Sequence, residues 1–170
     1  MLLFSKNICL GFQKKYGFFT FEANSSQMNL KKLNKDLEAI ILKKNELNAL
    51  TYDHKDYDDI EEELHDLEDD FLDAYGEELE EVLDTVHGKI DADNDILLPI
   101  AYIGAFYKTA GKNADGTHQF EVAEGQGVLI ESGKFKGGDV RLIFLTSPVR
   151  LLLVNGKDKK IVIWGGEEGQ

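Results

Sequence analysis

The chain has 170 residues with a net charge of -13 and an ordinary apolar share of 42%, enough for one core or two small units. That acidity disfavours nucleic acid, which needs a clustered positive face, and anionic membrane surfaces, leaving basic protein surfaces as the natural counterpart. Cys9 is the single cysteine, which excludes an intramolecular disulfide and a cysteine-rich metal knuckle.

Residues 1 to 24 follow no clear period. They read either as a leader ahead of a natural start at Met28 or as a lead holding one short strand, FFTFEAN, whose Phe18, Phe19 and Phe21 would want burial. Lys14 and Lys15 follow the apolar part and no small-residue cleavage site is present, so a signal peptide is not expected. No apolar run approaches the roughly 20 residues that span a bilayer, and the chain reads as cytoplasmic.

Ser25 and Ser26 are N-cap types ahead of a periodic segment. Leu30, Leu33, Leu37, Ile40 and Leu47 hold heptad a and d positions, predicting a helix from about Met28 to Leu50. A short link follows, with Asp53 as the expected N-cap of a second helix over about residues 56 to 87. Its seam is Tyr57, Ile60, Leu64, Leu67 and Phe71, continued as Tyr75, Leu79, Val82 and Val86, with a stutter-like step beside Gly76. His87-Gly88 supplies an expected stop, a cation in the last turn and then a C-cap glycine.

The second helix carries most of the acidity. From Asp53 to Asp95, 20 Asp and Glu stand against two Lys, a local charge of -18, so the rest of the chain sums to +5. The first helix is mildly positive, so the two should pair as an antiparallel coiled-coil hairpin over residues 25 to 88. Its tip would carry Asp53, Asp56, Tyr57, Asp58 and Asp59. Carboxylates in a first turn also suit the helix dipole, so the cluster serves the fold as well as any partner. Ile41, Leu72 and Leu83 fall outside the a/d line, which would allow two hairpins to pair as a homodimeric four-helix bundle.

From Leu97 the pattern breaks into short apolar runs separated by AGKNADGT, GQG, GKFKGG, SP and NGKDK. About six strands are expected over residues 96 to 165, in a small, mostly antiparallel β barrel or sandwich. VRLLLV could instead be one buried helical turn. The expected class is therefore α+β.

Conventional chemistry finds little support. Asp91, Asp93 and Asp95 open like a calcium loop, but Ile96 stands where glycine is needed and Tyr102 where glutamate is needed. Glu62-x-x-His65 and Asp84-x-x-His87 resemble diiron steps, yet they lie roughly 33 Å apart on one helix and read as solvent-facing histidines. His54 and His118 sit in expected loops. No glycine motif cradles a phosphate, and no nucleophile has an assignable base. Tyr102, Phe106, Tyr107, Phe120 and Trp164 could line a barrel mouth for a small ligand but suit a core better.

The architecture resembles the Gre-type transcript cleavage factors of bacterial RNA polymerase. Two fragments carry the likeness: KDYDDIEEE, Lys55 to Glu63, resembles the family's Glu-Tyr-Asp run, and TSPVRLLLVNGK, Thr146 to Lys157, resembles its Ser-Pro segment leading to Gly-Lys. The resemblance implies a hairpin probing the polymerase secondary channel, where two tip carboxylates help hold a catalytic magnesium. Aligned through Tyr57, one falls on Asp53 and the other on Leu50. The residues thus point first to a non-enzymatic interaction module with no cofactor of its own, and second to an RNA polymerase factor in which Asp53 shares a magnesium with the partner.

Overall fold

The computed structural model describes residues 28–135, 138–156 and 159–166. The expected strand and leader at residues 1 to 24, and the caps Ser25 and Ser26, lie outside these. The described residues fold as α+β, two contacting helices followed by antiparallel sheets.

Helix α1 spans Leu30–Asn48 and is capped by Asn29, whose side chain accepts the Lys32 N–H at 3.0 Å. Such a cap is worth about 1 kcal/mol. Helix α2 spans Tyr57–Ile90. The seam forms as the heptads predict, with Leu33, Leu37 and Ile40 buried opposite Leu64, Phe71, Tyr75 and Leu79. Ion pairs Lys43–Glu63 and Lys44–Glu68, both at 2.7 Å, and a Tyr75 hydroxyl donating to Asp36 at 2.7 Å, fix the antiparallel register. At about 1.5 Å per residue the helices measure roughly 28 and 51 Å, so α2 runs well past α1 and buries its last turns against the β region.

The start of α2 agrees with the expected position near residue 56, but its cap and its stop both differ from expectation. Residues 51 to 56 form a turn in which Thr51 C=O accepts the His54 N–H and His54 C=O accepts the Tyr57 N–H. The N-cap is therefore Asp56, not Asp53, and Asp56 makes no side-chain cap bond. At the other end it passes through Gly88 to Ile90, because Ile90 is 5% exposed and burying it outweighs the roughly 1 kcal/mol that a helical glycine costs. The stop comes at Asp91, left-handed at φ 55°, with Asp91 N–H donating to Gly88 C=O and Ala92 N–H to His87 C=O. That is a Schellman pattern with aspartate where glycine is usual.

A 3-10 turn, Pro99–Tyr102, leads into β1 (Tyr107–Lys112) and β2 (His118–Val122), which pair with each other. Strands β3 (Val128–Leu129), β4 (Val140–Leu145), β5 (Arg150–Asn155) and β6 (Lys159–Gly165) form a second antiparallel sheet in sequence order. VRLLLV thus supplies a strand rather than a helical turn. Of the expected barrel or sandwich, the barrel does not close, because among the described residues no ladder joins β1–β2 to the four-stranded sheet. Side chains couple the two layers instead: the Tyr107 hydroxyl donates to Phe144 C=O at 2.7 Å and accepts the Gly104 N–H at 2.8 Å. Tyr102, Phe144 and Trp164 stack edge to face, and Tyr107 meets Phe120 likewise. Four of the five candidate pocket aromatics, Tyr102, Tyr107, Phe120 and Trp164, are therefore core.

The DADND connection covers a sheet edge. Ala92 bridges Ser132, Asp93 N–H donates to Glu131 C=O at 2.7 Å, and Asn94 bonds Leu129 and Glu131. Its aspartates Asp91, Asp93 and Asp95 are exposed.

Candidate interaction surface

Three polar side chains on one stripe of α1 clasp the β region. Asn34 Oδ1 accepts the Ser147 N–H at 2.7 Å. Glu38, only 9% exposed, accepts the His118 N–H at 2.8 Å and lies 2.7 Å from its ring Nδ1. Asn45 brackets Tyr107, accepting its N–H and donating to its C=O, each at 2.9 Å. Ile41, fully buried, belongs to the same stripe. Spacings of 4, 3 and 4 from Asn34 were the sequence signal for this second face, but the polar types hid it.

The clasps decide what the hairpin exposes. Of the expected surplus for a dimer seam, Ile41 and Leu83 are buried within the chain and Leu72 is half-buried. The last clasp is at Asn45, and Lys43 pairs with Glu63, so only the hairpin end, from Glu46 through the turn into the first turns of α2, stands beyond it, a reach on the order of 10 Å.

At the tip, Asp53, Asp58 and Asp59 are exposed and Asp56 and Tyr57 half-buried. The Thr51 hydroxyl, followed by the residue's own backbone N–H, holds the Asp53 carboxyl below the usual carboxylate range. Asp56 lies 3.8 Å from Lys55 Nζ and 3.9 Å from His54 Nδ1, and its N–H donates to His54 Nδ1 at 3.3 Å. Tyr57 tilts against Tyr52 with centroids 5.2 Å apart, and Tyr52 is 82% exposed. Sequence reading passed over Tyr52, since an apolar residue in a link has no period to betray it.

The acidic surface extends far beyond the tip. Twelve carboxylates of α2, from Asp58 to Asp84, are exposed. Among the described residues only Glu63 of these twelve enters an ion pair.

The histidines divide differently from expectation. His65 is exposed, but His87 is 5% exposed, with Nε2 3.0 Å from the Tyr102 hydroxyl. Burial pushes its imidazole below the usual range, against smaller opposite pulls from the Asn94 backbone and Asp84. His87 faces inward because the helix continues past Gly88 and carries it over the 3-10 turn. His118 opens β2 and holds Glu38 rather than lying free in a loop. Among the described residues no three His, Cys, Asp or Glu side chains are grouped to hold a metal, and no helix is long and apolar enough to cross a membrane.

Comparison of the chain with protein-family models, with curated proteins and with solved structures finds no match. The order of a helical hairpin and then a small antiparallel β region is compatible with the layout of the Gre-type factors.

Proposed function

We propose that the protein is a non-enzymatic interaction module whose acidic hairpin, with Asp53, Asp56, Tyr57, Asp58 and Asp59 at its tip, docks on a basic protein surface. The row of exposed α2 carboxylates without cationic partners supports this reading most directly. Their like charge is tolerated in water and favours a counter-charged partner, chiefly through association rate. The β region serves as the anchor that holds α1.

The test compares the native chain with a tip variant, D53N/D56N/D59N, and an outer-face variant of equal charge, D66N/D69N/D73N, each immobilised and challenged with cell lysate at rising salt. A partner retained by the native and outer-face forms but lost by the tip variant supports tip docking. Equal retention by all three, or loss that follows charge alone, overturns it.

The second reading is a Gre-like factor acting on RNA polymerase during elongation. Asp56 and Tyr57 at the start of α2, with Asp53 ahead of them, favour it. In this reading Asp53 alone would contribute to a magnesium shared with the polymerase, Leu50 standing where the second carboxylate would be, so docking rather than cleavage is the activity to assay. Purified core polymerase that shows no tip-dependent binding removes this reading and leaves the first standing.

A further inference from the structure

On one face of the four-stranded sheet the register aligns three rows across β4, β5 and β6: Arg141, Val154 and Lys160; Ile143, Leu152 and Val162; Leu145, Arg150 and Gly165. Directly paired residues share a face, and successive rows lie about 7 Å apart along β5, while a register shift between Leu151 and Leu152 adds one residue on β6 between Val162 and Gly165. No row contains a carboxylate, although the chain has 32. Toward β6 the face is open: Val162 is 47% exposed, and Lys160 and Gly165 are exposed.

Arg150 is the unusual member. Its Nη1 donates to Thr146 C=O at 3.3 Å and to Pro148 C=O at 2.8 Å, which fixes the guanidinium plane. No hydrogen bond among the described residues uses its Nε or Nη2. Arg150 and Lys160 form no ion pair there, while Arg141 is held by Asp139 at 2.8 Å. Burial alone pushes the Arg150 guanidinium below its ordinary value, with no anion opposing that shift. Gly165, its cross-strand neighbour, has no side chain to cover it.

We propose that this face binds an extended acidic peptide segment of the pattern acid-x-apolar-x-acid. In an extended chain, alternate side chains point the same way at the same 7 Å step. One carboxylate would meet the free Nε/Nη2 edge of Arg150, the apolar residue would lie over Val162, and the second carboxylate would meet Lys160. Arginine suits the inner position because its planar fork takes a carboxylate in two parallel bonds. The chain's overall charge opposes any anion, the doubly charged peptide included, so the apolar contact over Val162 is a necessary part of the recognition. This face is separate from the hairpin and does not depend on its function.

The test is an NMR titration of the full-length 15N-labelled chain with the peptide acetyl-Glu-Ser-Val-Ser-Glu-amide. Saturable shifts should centre on the amides of Lys160, Val162 and Gly165. Arg150→Gln should weaken binding about 5- to 10-fold, as for a lost charge-assisted hydrogen bond, and Arg150→Lys about 2- to 3-fold. Lys160→Gln, at an exposed position that folding does not use, should weaken it about 2- to 5-fold and decides the matter if Arg150→Gln disturbs the fold. A peptide of the same composition with both glutamates adjacent should bind more weakly. The proposal falls if the shifts scatter, if the rearranged peptide binds equally, or if inorganic phosphate displaces the peptide at equal concentration. It also falls if Arg150→Gln abolishes a salt-sensitive dimer, because the occupant is then a second copy of the chain.

Discussion

Replacing Asn45 by alanine strips both bonds from the Tyr107 backbone while leaving the apolar seam intact. Each net hydrogen bond contributes about 0.5–1.5 kcal/mol, and a part-buried peptide group left open loses more when water reaches it poorly. The loss is therefore about 2–3 kcal/mol, offset by about 0.5 kcal/mol from the better helix propensity of alanine. Urea unfolding should show a lower midpoint at unchanged slope, a net loss of about 2 kcal/mol, and hydrogen exchange should show the Tyr107 amide opening early. Asn48→Ala, an exposed asparagine on the same helix, controls for propensity. If N45A matches N48A in stability, or the Tyr107 amide stays protected, then α1 is held by apolar packing alone and the clasp argument fails.

His87 sets an acid limit. Its folded pKa is depressed, so the unfolded chain binds more protons below the ordinary value of about 6.5, and stability falls as pH drops through that value. His87→Gln should flatten the pH dependence of the melting temperature between about pH 6.5 and 5, whatever its effect at neutrality. Gly88→Ala should stabilise by about 0.5–1 kcal/mol, because the glycine is helical and an added Cβ meets nothing within 4 Å. Gly165→Ala should cost about 3 kcal/mol or more in denaturant unfolding, since its φ is +72° and a Cβ would stand 2.5 Å from Val149 C=O. Tyr75→Phe keeps the buried ring but loses the bond to Asp36, and should cost about 1–2 kcal/mol by thermal unfolding.

The heptads made the hairpin legible because Leu33, Leu37 and Phe71 obey a local period that tertiary structure had no reason to override. Boundaries were less so. Asp53 and Gly88 have the right chemistry for a cap and a stop, yet a turn through His54 and the burial of Ile90 won at each place. The choice between barrel and sandwich was not legible, because short antiparallel strands predict local pairing but not closure, which depends on whether β1 and β2 find a ladder partner. The clasps were hidden for a different reason. Glu38 and His118 look like solvent residues until they meet, and nothing in the sequence near either announces the other. At the tip, Asp53, Asp58 and Asp59 are exposed, as charge alone would have them, while Asp56 and Tyr57 are half-buried.

The clasps of α1 also order events during synthesis. Their partners lie 62, 80 and 113 residues downstream, at Tyr107, His118 and Ser147. A growing chain can zip α1 to α2 early, since that contact needs only a short loop. The stripe of Asn34, Glu38, Ile41 and Asn45 must then wait until nearly the whole β region has left the ribosome. Through that interval Ile41 lies open to water, and the dense negative charge of α2 keeps neighbouring nascent chains apart.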